Sequence, residues 1–178
     1  MLEKLAKQTA IYGISTIVVR FLNYLLTPYY TRIFDQGEYG IVTDIYALIP
    51  FALVLLSMGM ESSYFRFTTR AEEEGGDIQQ NKRKVFASTW GMTSLGATIF
   101  FLLVLLLNAP ISRAMGEVYV LHPEYVVIVA SIVMIDVWSI IPFARLREQG
   151  RALHFVLLKA VSVLLNVGLA IGFGVVGL

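Results

Sequence analysis

The chain has 178 residues, of which 57% are hydrophobic and 15% charged, with a formal net charge of +1 and a mean hydropathy of +0.70. A soluble domain carries roughly 45–50% apolar and about 25% charged residues, so a water-soluble core of this size is excluded by the excess of apolar surface, and the near-zero charge argues against a nucleic-acid partner. The absence of cysteine excludes disulfides, thiolate metal sites and cysteine nucleophiles.

A bilayer core of about 30 Å is crossed by roughly 20 apolar residues in a helix. Five segments reach that length, which predicts an all-α membrane protein with five transmembrane helices. The first runs from about residue 9 to 34 and is broken near Pro28. Lys4 and Lys7 before it resemble the start of a signal peptide, but Arg20 in its middle and the lack of a small-x-small cleavage site predict an uncleaved span. A turn follows over Asp35-Gln36-Gly37-Glu38-Tyr39-Gly40. The second segment is about 41–68, with Pro50 inside it, and leads to a charged loop from Arg70 to Lys84. The third, about 85–107, ends at Asn108-Ala109-Pro110, and a short polar stretch leads to His122-Pro123. The fourth is about 124–146. The turn Arg147-Glu148-Gln149-Gly150-Arg151 joins it to the fifth, about 152–176, where Gly168, Gly172 and Gly174 permit close helix packing. None of the segments shows the two-residue alternation of barrel strands.

Lysines and arginines sort by side. Lys4, Lys7, Arg66, Arg70, Lys82, Arg83, Lys84, Arg145, Arg147 and Arg151 fall at one end of the spans, and Arg32 and Arg113 at the other. The excess of cations marks the cytoplasmic side, which predicts a multi-pass membrane protein with its N-terminus in the cytoplasm. Tyr29, Tyr30, Tyr39 and Tyr119 then fall at the outer interface.

Ionisable residues inside spans are costly and face the protein interior or an aqueous cavity. Arg20, Asp44, Glu61, Asp136 and Lys159 are of this kind. Snorkelling accounts for Asp44, Arg66 and Arg145, which stand near segment ends, and poorly for Arg20 and Asp136. Spacings of three and four put most of Thr9, Thr16, Arg20, Asn23, Tyr24 and Thr27 on one face. That stripe is either a structural seam or a cavity wall that binds an anion, because the arginine fork suits phosphate oxygens. Glu61 shares a face with Tyr64 and Phe65; it is a proton carrier, a partner of Arg20 or Lys159, or an interfacial carboxylate held by Arg66. Asp136 and Ser139 share a face, and Pro142 after them frees a backbone carbonyl for cavity contacts. Lys159, Ser162 and Asn166 follow at i, i+3, i+7. No His-Glu-x-x-His, Gly-x-Ser-x-Gly or Walker sequence occurs, so neither an enzyme nor ATP-driven transport is expected, and no cofactor or metal.

Four stretches carry a resemblance. Leu5-Ala6-Lys7-Gln8-Thr9-Ala10-Ile11-Tyr12-Gly13, Pro28 to Gly40, Met58-Gly59-Met60-Glu61-Ser62-Ser63-Tyr64-Phe65-Arg66, and Ala144 to Arg151 come in the order and spacing of the Wzx-type (O-antigen and capsule) polysaccharide flippases of the multidrug/oligosaccharidyl-lipid/polysaccharide exporter superfamily. The resemblance covers the whole chain and implies a two-lobe transporter with six helices per lobe. Residues 1–178 would be an N-terminal fragment, helices 1–5 of the first lobe, with a C-terminal lobe as missing partner. The implied activity is ion-gradient-coupled movement of a polyprenyl-diphosphate-linked oligosaccharide to the outer leaflet. The implied substrate-binding residues are Arg20, Asn23, Tyr24, Lys159 and Asn166, with Glu61 and Asp136 for ion coupling and membrane lipids around the spans. Lipid II flippases resemble the chain at Arg20, but carry further cations where this sequence has Leu25-Leu26-Thr27 and Phe51 to Leu55. A cation-coupled drug exporter that relies on Glu61 and Asp136, and a non-transporting membrane assembly partner, are the remaining readings.

Overall fold

The computed structural model describes residues 13, 17, 21, 24, 28, 32, 35–73, 75–151, 154–158 and 160–161. The chain divides into two compact units, one of Asp44–Arg145 and one of Met1–Thr43 with Leu146–Leu178. Most of the first and fifth predicted segments lies outside the described residues; Gly13, Ile17, Phe21, Tyr24, Pro28 and Arg32 are helical, as are 154–158 and 160–161.

Six helices are continuous enough to name: α1 (Gln36–Ser57), α2 (Met60–Glu73), α3 (Ile78–Leu106), α4 (Asn108–Met115), α5 (Glu117–Leu121) and α6 (Glu124–Glu148). No strand occurs among the described residues. Three stretches of them, Tyr39–Glu73, Ile78–Leu106 and Glu124–Glu148, are long and apolar enough to cross a membrane. Over its described residues the chain is thus an all-helical membrane protein.

The second predicted segment differs from expectation in two ways. It is interrupted, because Met58 (φ 45°) and Gly59 (φ 69°) both adopt left-handed backbone. α2 restarts from Gly59, whose carbonyl accepts from the Ser63 N–H at 3.1 Å. It also runs on to Glu73, and α3 begins at Ile78, so most of the expected loop from Arg70 to Lys84 is helix. Glu, Gln, Lys and Arg are good helix formers in water, and two devices turn the chain sharply. Gly75 (φ 74°) and Gly76 (φ 78°) supply left-handed backbone, and Asp77 caps α3 by accepting from the Gln80 N–H at 3.0 Å. Lys82 and Glu72 pair across this hairpin.

The polar stretch expected after the third segment is two short helices. Pro110 sits in the first turn of α4, where its missing N–H has no helical acceptor to serve, and Gly116 (φ 126°) separates α4 from α5. Tyr119 on α5, expected at the outer interface, is packed against protein there, at 4% exposed. At the far end of α6 the expected turn forms as a Schellman motif. Gly150 (φ 65°) donates to the Arg147 carbonyl at 3.0 Å, and Arg151 donates to that of Leu146 at 3.0 Å.

The core of Asp44–Arg145 lies along one stripe of α6: Val126, Ala130, Val133, Val137, Ile141 and Ala144 are all buried, at spacings of three and four. Near mid-span, Val133 and Val137 pack with Ala97 of α3 and with Ile49, Ala52, Leu53 and Leu56 of α1. At the basic end, Ile141 and Ala144 pack with Tyr64 of α2 and Phe86 of α3. α3 meets its neighbours through small residues, Thr89, Thr93 and Ala97. The two threonines return their hydroxyls to the carbonyls of Val85 and Thr89, each at 2.7 Å, so these two hydroxyls are satisfied within the helix.

Candidate functional site

The apolar length of each crossing helix sets a common level. Tyr39 to Ser57, Ser88 to Leu106 and Glu124 to Pro142 are each ~28 Å at about 1.5 Å per residue, close to the bilayer core. Packing marks its basic end, since Tyr64, Phe86 and Ala144 meet in one cluster. The break at Met58–Gly59 comes about one and a half helical turns before Tyr64, on the span side of that end.

Glu61 stands in the first turn of α2, half-buried, where the unpaired N–H groups of a helix start favour a carboxylate. Asp136 lies on α6 about 9 Å inside Pro142. It is exposed within this unit, beside the buried stripe and not on it, and its carbonyl accepts from the Ser139 hydroxyl at 2.7 Å. Tyr24 is helical and 73% exposed. Arg20, Asn23, Lys159 and Asn166 lie outside the described residues. The carbonyl that Pro142 frees is that of Trp138, four residues earlier. It accepts the Trp90 indole N–H at 3.1 Å.

Arg145, read from the sequence as snorkelling, places its guanidinium 4.4 Å from the ring centre of Phe86. Phe86 in turn stacks on Trp90 at 6.1 Å and 10° and meets Tyr64 edge-on at 6.4 Å. An aromatic ladder with a cation at its water end thus ties α2, α3 and α6 together at the boundary.

Beside the ladder, α2 and α3 enclose a cleft of about 470 Å³. α2 contributes Met60, Ser63 and Phe67, at i, i+3, i+7, and α3 contributes Lys84, Ser88 and Met92, at i, i+4, i+8. Sequence reasoning missed it, because Lys84 was assigned to a loop. The signal available was the alternation of methionine and small hydroxyl residues at helical spacing on two consecutive segments.

The profile of a family described as "Polysaccharide biosynthesis protein" matches residues 5–175. No curated protein and no solved structure matches the chain. With all but seven of its residues inside that match, and with apolar helices of membrane-crossing length in the same stretch, the chain belongs to the polysaccharide biosynthesis protein family.

Proposed function

We propose that the protein moves a polyprenyl-diphosphate-linked oligosaccharide across the bacterial cytoplasmic membrane for surface polysaccharide synthesis, by alternating access coupled to an ion gradient. The family match over residues 5–175 carries the reading. In it, the five segments belong to one lobe, the basic end with Arg66, Arg70, Lys82 to Lys84 and Arg145 faces the cytoplasm, and a second lobe completes the cavity. Arg20 and Lys159 hold the diphosphate, with Asn23, Tyr24 and Asn166 beside it. Asp136, inside the span, and Glu61, where α2 restarts, bind the coupling ion.

The test is complementation of a flippase-deficient host by the full-length protein. Arg20→Ala with Lys159→Ala is expected to abolish surface polysaccharide at normal membrane levels of the protein. Normal polysaccharide in the double variant would sink the cationic cavity. A second reading, a cation-coupled drug exporter, is favoured by the acidic character of Glu61 and Asp136 in the described spans; it predicts drug efflux in a sensitive host that Asp136→Asn abolishes.

A further inference from the structure

We infer that the cleft between α2 and α3 is a binding site for an anionic phospholipid of the leaflet that the basic end faces, with the phosphate at Lys84 and an acyl chain running inward past Met60 and Met92. The inference does not depend on the transport reading.

Depth is the first argument. The cleft straddles the boundary of the span: Lys84 lies about 6 Å outside Ser88 and Met92 about 6 Å inside it, at ~1.5 Å per residue. A single site therefore offers a cation at headgroup level and thioethers at acyl level. Donor chemistry is the second. Lys82 is engaged by Glu72, whereas Lys84 is exposed and makes no ion pair among the described residues. The hydroxyls of Ser63 and Ser88 likewise have no hydrogen-bond partner among the described residues, while Thr89, on the same wall, spends its proton on the Val85 carbonyl. Two hydroxyl donors and an ammonium line the same cleft, and that set suits phosphate oxygens.

The inner half carries no charge. Met60 stands there on α2, and Met92, 70% exposed, on α3, while Phe67 lies nearer the turn, level with Lys84; the flexible, polarisable methionines adapt to a mobile acyl chain. A zwitterionic lipid would bring its own ammonium to Lys84 and gain little, and a soluble anion would leave the apolar half unfilled. Basic pockets between helices at the membrane surface are a recurring mode of anionic-lipid recognition.

The experiment uses the full-length protein in neutral detergent. Retention of dioleoyl-phosphatidylglycerol is compared with that of dioleoyl-phosphatidylcholine by native mass spectrometry. Preferential retention of one phosphatidylglycerol is expected. Lys84→Gln, at an exposed position that folding tolerates, is expected to weaken it about fivefold, the effect of one surface cation. Ser63→Phe, which fills the cleft and keeps the charge, is expected to abolish retention. Arg83→Gln removes a neighbouring charge that does not line the cleft and is expected to leave retention within about twofold. Equal retention of the two lipids would overturn the site, and so would an equal loss in Arg83→Gln and Lys84→Gln, which would mark diffuse attraction to a basic surface. Displacement of phosphatidylglycerol by glycerol 3-phosphate alone would also overturn it, since the apolar half would then be idle.

Discussion

Trp90 on α3 donates its indole N–H to the backbone carbonyl of Trp138 on α6 at 3.1 Å, and Trp138 returns a bond from its own indole to the Ser94 carbonyl of α3 at 3.2 Å. The first of these uses an acceptor that the helix cannot use itself, since the residue four positions after Trp138 is Pro142. A helix defect in one element is thereby repaired by a side chain of another, at a depth where water is scarce.

This relationship makes a signed prediction. Trp90→Phe strands the Trp138 carbonyl and is expected to destabilise the protein by about 1–3 kcal/mol, the cost of a polar group left unsatisfied away from water. In a Pro142→Ala background the helix supplies its own donor, so the same change is expected to cost about 1 kcal/mol less. A double-mutant cycle on unfolding in mixed detergent micelles measures the difference; strict additivity of the two changes would refute the repair.

The break at Met58–Gly59 gives a second prediction, of unusual sign. In an unbroken helix, Gly→Ala stabilises by about 1 kcal/mol. With Gly59 at φ 69°, Gly59→Ala is expected to destabilise by about 1 kcal/mol, because a Cβ is disfavoured in left-handed backbone. Met58→Gly, at φ 45°, is expected to stabilise by up to ~1 kcal/mol for the same reason. Unfolding midpoints of the two variants decide the matter: stabilisation by Gly59→Ala would mean that α1 and α2 form one continuous helix.

Tyr119 supplies a prediction in pH. Its hydroxyl is buried and finds no hydrogen-bond partner among the described residues. Burial, and secondarily the charge of Asp44, raises its pKa above the ordinary 10.0. An acid whose folded pKa is raised contributes its full stability below the unfolded pKa and loses it as pH rises through the folded value. Wild type is therefore expected to lose stability above about pH 10 by more than Tyr119→Phe does. At neutral pH the variant is expected to be unchanged or up to ~1 kcal/mol more stable, since it removes an unsatisfied group. Thermal unfolding from pH 8 to 11 tests both; parallel pH profiles for the two proteins would contradict the burial of the phenol.

The sequence by itself determined the membrane class, the three described spans, the turn at Gly150 and the sorting of cations to one end. These follow from residue-by-residue free energies: the transfer of apolar side chains into lipid, and the demand for glycine where the backbone is left-handed. It also singled out the carbonyl freed by Pro142, because a missing N–H is a local fact. Only the tertiary structure decided that Trp90 bonds that carbonyl, since this depends on which helix lies alongside. The same holds for Arg145, whose resting place over Phe86 is set by packing between α3 and α6, and for Tyr119, whose burial no single residue type could fix. The helical hairpin of α2 and α3, with its capped turn, was hidden because charged residues are as compatible with a solvated helix as with a loop. Its cleft at Lys84 arises only when two methionine and serine stripes are set face to face.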